Sequence, residues 1–150
     1  MNFKSVNEIL DFAIGKELAS AAFYNGLAAK MDRPWMKKAF EDFAREELGH
    51  KAKLLQIREG QVLEPSREKI LDLKIADYTV AGEPSADMNY GDALVLAMKM
   101  EKAAFRLYTD MAYSTSDPAL RQALMALAQE EARHKLRFEL EYDQFVQPEN

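Results

Sequence analysis

No cysteine occurs among the 150 residues, which excludes disulfides, cysteine nucleophiles, thiolate-bound zinc and protein-held iron–sulfur clusters together. Glycine and proline are scarce too, at 6 and 5, and the prolines stand at 34, 65, 84, 118 and 148. The long stretches between them carry no strong helix breaker and are helix candidates. No cluster of Lys and Arg is dense enough to follow a phosphate backbone, and 25 acidic against 20 basic residues leave a net charge of -5, so nucleic acid is not an expected partner. Apolar runs of membrane-spanning length are also missing. Asn2, Lys4, Asn7, Glu8, Asp11, Lys16 and Glu17 interrupt the segment from Met1 to Ser20, so neither a signal peptide nor a membrane span is expected, and a cytoplasmic location is.

What is present is a composition 48% hydrophobic and 30% charged, that of one globular domain, expected over residues 1–150, long enough to bury a sizeable core. Apolar residues recur at three-and-four spacing in four stretches: Ile9, Leu10, Ala13 and Ile14; Met36, Ala39, Phe40 and Phe43; Leu94, Ala97, Met98 and Phe105; Leu120, Leu124 and Leu127. Ser5 with Glu8 forms a capping box, and Pro34 and Pro118 suit first helical turns. Helices are therefore expected near 6–30, 34–58, 90–113 and 118–145. Joints of a few residues within each pair require antiparallel hairpins, while the segment from about 59 to 89 is long enough to cross the length of a bundle. A short helix after Ser66 and an extended piece near 73–80 are expected inside that crossover.

Sliding the sequence over itself by 84 positions reveals an internal repeat: Leu10 to Leu54 shows thirteen identities in 45 positions. They include Glu17/Glu101, Tyr24/Tyr108, Pro34/Pro118, Glu46/Glu130, Glu47/Glu131 and His50/His134. A generic match of amphipathic helices at Ala and Leu does not explain the shared Pro, Tyr and His.

Glu17 and Glu101 have apolar or small neighbours one turn away on both sides, so they project from the apolar stripes of their helices. Glu47 and His50, like Glu131 and His134, stand three apart on one helix face, and these are the only two histidines in the chain. Four ionised carboxylates in an apolar interior are untenable without compensating positive charge. Two divalent cations would offset them, and oxygen-rich ligation with one imidazole per metal suits iron or manganese, with zinc usable in their place. Glu46 and Glu130 lie about 100 degrees round the helix from the ligand face, so they are expected to face away, solvated or paired. Met36, Met98 and Met111 read as core filler.

This constellation resembles the ferritin-like diiron carboxylate superfamily, and most closely its rubrerythrin branch, over essentially the whole chain. The resemblance implies an all-α, ferritin-like antiparallel four-helix bundle of two hairpins joined by a long crossover. It implies that Glu47 and Glu131 bridge two iron ions, that Glu17 and Glu101 are terminal ligands, and that His50 and His134 each serve one metal. Tyr24 and Tyr108 would hydrogen-bond ligand carboxylates across the bundle. Two features depart from the family pattern. Typical rubrerythrins carry an additional glutamate one turn after the third-helix ligand, on a one-residue insertion; here that turn reads Ala103, Ala104, Phe105 and the Glu-to-Tyr interval is seven in both halves. The cysteine-ligated rubredoxin-like domain is also missing, so electrons would come from a separate donor protein or from the substrate. The implied activity is an oxidoreductase coupling Fe(II) oxidation to reduction of dioxygen or hydrogen peroxide, in a homo-oligomer. Stoichiometric iron sequestration or delivery is the alternative, and a helical interaction module with structural metals a third.

Overall fold

The computed structural model describes residues 5–60 and 88–145, and the features expected between 61 and 87 lie outside them. Four helices follow in order: α1 (Val6–Lys30), α2 (Pro34–Gly60), α3 (Tyr90–Tyr113) and α4 (Pro118–Phe145). Among the described residues there is no strand, and none of the helices is long and apolar enough to cross a membrane.

The helix starts are set by local chemistry. Ser5 accepts a hydrogen bond from the Glu8 amide at 3.2 Å, the expected cap of α1. Asn89 does the same for the Asp92 amide at 2.8 Å, and Asp117 accepts from Ala119 and Leu120 at 3.0 and 3.2 Å. Each cap satisfies donors with no partner inside the helix and is worth about 1 kcal/mol. Arg121 ties the α3–α4 corner by donating to the carbonyls of Ala112 at 3.1 Å and Thr115 at 2.6 Å.

Short joints fold α1 onto α2 and α3 onto α4 as closely packed hairpins, while α1 meets α3, and α2 meets α4, at wider spacing. The apolar faces form two separate clusters. Ile9, Leu10 and Ala13 of α1 pack with Leu54 of α2, Leu107 and Met111 of α3 and Leu120 and Leu124 of α4. At the other end Tyr24, Leu27, Phe40, Phe43, Leu94 and Phe138 pack together. The start of α1 thus shares a cluster with the end of α2, the end of α3 and the start of α4, so α2 and α3 run parallel, as the crossover length allows. Burial of each large apolar side chain contributes about 2 kcal/mol. Met111 is fully buried and Met36 and Met98 are partly so, as expected of core filler. Between the two clusters lies a layer that is not apolar.

Candidate metal centre

That layer contains Glu17, Glu47, His50, Glu101, Glu131 and His134, each no more than 4% exposed. All six fall at mid-helix, where the three-and-four periodicity turns them inward with the core. The 84-residue repeat becomes a geometric symmetry. His50 Nδ1 lies 2.9 Å from Glu131 Oε1, and His134 Nδ1 lies 3.0 Å from Glu47 Oε1. His50 Nδ1 is 3.6 Å from Glu17, and His134 Nδ1 is 3.4 Å from Glu101. The imidazole rings are nearly parallel, 5.7 Å apart.

Both tyrosines reach across the bundle. Tyr108 of α3 donates to Glu17 Oε1 of α1 at 2.5 Å, and Tyr24 of α1 donates to Glu101 Oε1 of α3. The Tyr24 ring is held against Phe43 and Phe138, both 5.7 Å away, so its hydroxyl is fixed by packing.

The fully buried ligand-capable residues assemble into two overlapping groups, Glu17–Glu47–His50–Glu131 and Glu47–Glu101–Glu131–His134, with the atoms of each group within 4.8 Å of one another. Glu47 and Glu131 belong to both. Glu17 Oε2 and Glu101 Oε2 are buried without a hydrogen-bond partner, and Glu47 Oε1 and His134 Nδ1, although 3.0 Å apart, are not aligned as a hydrogen bond and have no other. Buried polar atoms are otherwise almost always satisfied, and each orphan carries a desolvation penalty. Four carboxylates with two imidazoles form an oxygen-rich donor set of balanced charge for two divalent ions, so the residues fit iron or manganese.

Protonation follows from the crowding. Burial, with Glu17 hydrogen-bonded beside it, pushes the Glu47 carboxyl up to about 10. Burial and the neighbouring Glu101 push Glu131 well above the usual carboxylate range. Burial also raises Glu17, but the adjacent Glu47 and His50 and the donating Tyr108 hydroxyl outweigh it and hold this carboxyl below its ordinary value. Burial lowers His134, but Glu101 and Glu47 outweigh it and hold the imidazolium up to about 10. Tyr24 and Tyr108 are pushed well above their ordinary range, first by burial and then by the surrounding carboxylates, which keeps them as donors. Without metal the cluster therefore holds protons that bound cations would displace.

One expectation is overturned. Glu46 does not face away: its Oε2 lies 2.6 Å from His134 Nε2 and 3.2 Å from Arg137. The 100-degree rotation that takes Glu46 off the ligand stripe of α2 turns it toward α4, where the other half's histidine stands. A metal-binding imidazole characteristically donates its second N–H to such a carboxylate. Glu130 does pair with Arg133, at 3.1 Å, but it also lies within 4.8 Å of ring nitrogens of His50 and His134. The signal was the doublet Glu46-Glu47 repeated as Glu130-Glu131.

A bundle of two antiparallel hairpins that buries six Glu and His side chains at mid-height belongs to the ferritin-like class. A rubrerythrin family profile matches residues 8–142, and the chain belongs to the rubrerythrin family. A solved structure of a hypothetical protein from Pyrococcus furiosus is similar, with a TM-score of 0.68 and 25% sequence identity over 95% of this chain and 91% of that one. No curated protein matches the sequence.

Proposed function

We propose that this chain is a dinuclear iron protein that couples Fe(II) oxidation to reduction of dioxygen or hydrogen peroxide. The observation that carries the reading is the pair of buried four-residue groups sharing Glu47 and Glu131. In this reading Glu47 and Glu131 would be shared by the two ions, Glu17 and Glu101 would serve one ion each, and His50 and His134, whose Nδ1 atoms face the carboxylates, would each serve one. When bound, two ferrous ions supply one electron each, which with two protons reduces dioxygen to hydrogen peroxide, or hydrogen peroxide to two waters.

The chain's own groups position and insulate that chemistry. Tyr24 and Tyr108 hold Glu101 and Glu17 in place and remain protonated. Apolar clusters on both sides exclude water along the bundle axis, which strengthens the electrostatic interactions inside. Glu46 orients His134 and stabilises its N–H. An external donor protein would return the electrons, and the exposed Leu136 and Leu140 on α4 support a homo-oligomer.

The near-complete burial of the four glutamates favours a second reading, iron sequestration or delivery without steady turnover. Anaerobic Fe(II) loading followed by stopped-flow mixing with dioxygen or hydrogen peroxide separates the two. Repeated oxidation with a supplied reductant supports the oxidoreductase, and a single stoichiometric event supports the store. Failure to bind Fe(II) or Mn(II) would remove both.

A further inference from the structure

The face between α2 and α4 carries two grooves that the 84-residue repeat relates to each other. One, of about 330 Å³, is lined by residues including Ala39, Phe43, Arg137 and Phe138. The other, of about 420 Å³, is lined by residues including Ala123, Leu127, Lys53 and Glu130. The offset pairs Ala39 with Ala123, Phe43 with Leu127, and Arg137 with Lys53, so they are twin features of one duplicated surface.

The twins differ in what lines them. In the smaller groove the Arg137 guanidinium stands 4.3 Å from the centre of the Phe43 ring, and Phe43 packs 4.2 Å from Phe138. Arg137 also grips both oxygens of Glu46, at 3.3 and 3.2 Å, and Glu46 is committed to His134. On that side Phe43, Phe138 and the Arg137 guanidinium wall the groove, and Glu46 is already neutralised. In the larger groove Leu127 replaces Phe43 and the exposed Lys53 replaces Arg137. Its glutamate, Glu130, is paired with Arg133, one turn along the same helix, at 3.1 Å, with the Arg133 side chain 68% exposed. An exposed pair of that kind contributes little and yields readily to a competing cation.

Glu130 has a second property. With His50 and His134 it forms a third group of ligand-capable atoms, all within 4.8 Å, and His50 also belongs to the inner group with Glu17, Glu47 and Glu131. From this the geometry points to Glu130 as an uptake ligand: an incoming divalent cation enters by the larger groove, is met by Glu130, and passes by way of His50 to the buried carboxylates. The smaller twin does not serve. The inference rests on the dinuclear centre proposed above.

The test measures Co(II) uptake by chelator-stripped full-length protein, reading rate and final stoichiometry separately from the cobalt absorbance. Glu130→Gln, and Ala123→Trp to fill the groove, are expected to slow uptake by about tenfold or more, the scale of lost electrostatic steering, with the final stoichiometry unchanged. Ala39→Trp in the smaller twin is expected to load near the wild-type rate. Unchanged rates in Glu130→Gln and Ala123→Trp, or equal slowing by Ala39→Trp, would overturn the assignment. A lower final stoichiometry at unchanged rate in Glu130→Gln would overturn it too, by making Glu130 a resident ligand. Should circular dichroism show that either Trp variant has lost its helices, Glu130→Gln decides alone. Wild-type protein that takes up no Co(II) would instead remove the metal centre itself.

Discussion

His134 places its Nε2 2.6 Å from Glu46 Oε2 while its Nδ1 faces the buried carboxylates. One ring thus joins the interior of the bundle to its surface, since Glu46 is 45% exposed and is held from outside by Arg137. Glu46→Ala should therefore leave the fold intact, because no large apolar group is lost, yet weaken metal affinity by about 10- to 100-fold. Competition against a chelator of known affinity checks this. An affinity equal to wild type would show that the contact does not orient the imidazole.

Metal binding should raise stability because the cations replace protons and carboxylate repulsion. The loaded protein should contain about two ions per chain, and at free-ion concentrations a hundred times the Kd it should gain about 2.7 kcal/mol per site. Glu47→Ala or Glu131→Ala should lose both ions, since each residue belongs to both groups, while His50→Ala should weaken one. Elemental analysis with thermal melts of loaded and stripped protein tests the set.

The stripped protein should become less stable as pH rises. Glu47 titrates near 10 in the fold against an ordinary 4.5, Glu131 is shifted in the same direction, and His134 titrates near 10 against 6.5. Raised groups bind more protons folded than unfolded, so their stabilisation is full below the ordinary values and is lost as pH rises through the folded ones. Glu17 has the opposite sign, but its lowered value confines its effect to acid below 4.5. The melting temperature of metal-free protein should fall from about pH 5 to about pH 9, while metal affinity rises as the ligands deprotonate. A melting temperature that rises over that range would contradict the proposed protonation of the cluster.

The helices and the buried hexad were legible because two strong signals coincided. Ser5, Pro34 and Pro118 mark helix starts at the observed positions, and the 84-residue offset pairs each buried Glu and His with its symmetric mate. The role of Glu46 was not legible, because periodicity reports which stripe of a helix is apolar and not which neighbour lies a quarter-turn round. The broken symmetry of the grooves was hidden for the same reason. Leu127 for Phe43 and Lys53 for Arg137 read as conservative changes until the α2 and α4 faces are set opposite each other. Asp117 escaped notice as a cap because the following Pro118 already marked that start.

The symmetry of the centre bears on which oxidant it prefers. α3 is continuous from Tyr90 to Tyr113, and Ala104, partly buried against the apolar cluster, stands where the typical family member has its extra glutamate. The Tyr108–Glu17 bond mirrors Tyr24–Glu101, so the two halves match without an inserted residue. If the additional third-helix glutamate is what suits typical family members to peroxide, diferrous protein of this chain should react with dioxygen at least as readily as with hydrogen peroxide. Both second-order rates must be measured on one preparation, so that metal content and pocket are shared and the ratio reports the oxidant alone. A peroxide rate higher by orders of magnitude would show that the glutamate is dispensable. Ala104→Glu approaches the same question from the other side. Because α3 runs unbroken through Ala104 and lacks the insertion, the rate ratio of the wild-type protein is the deciding measurement.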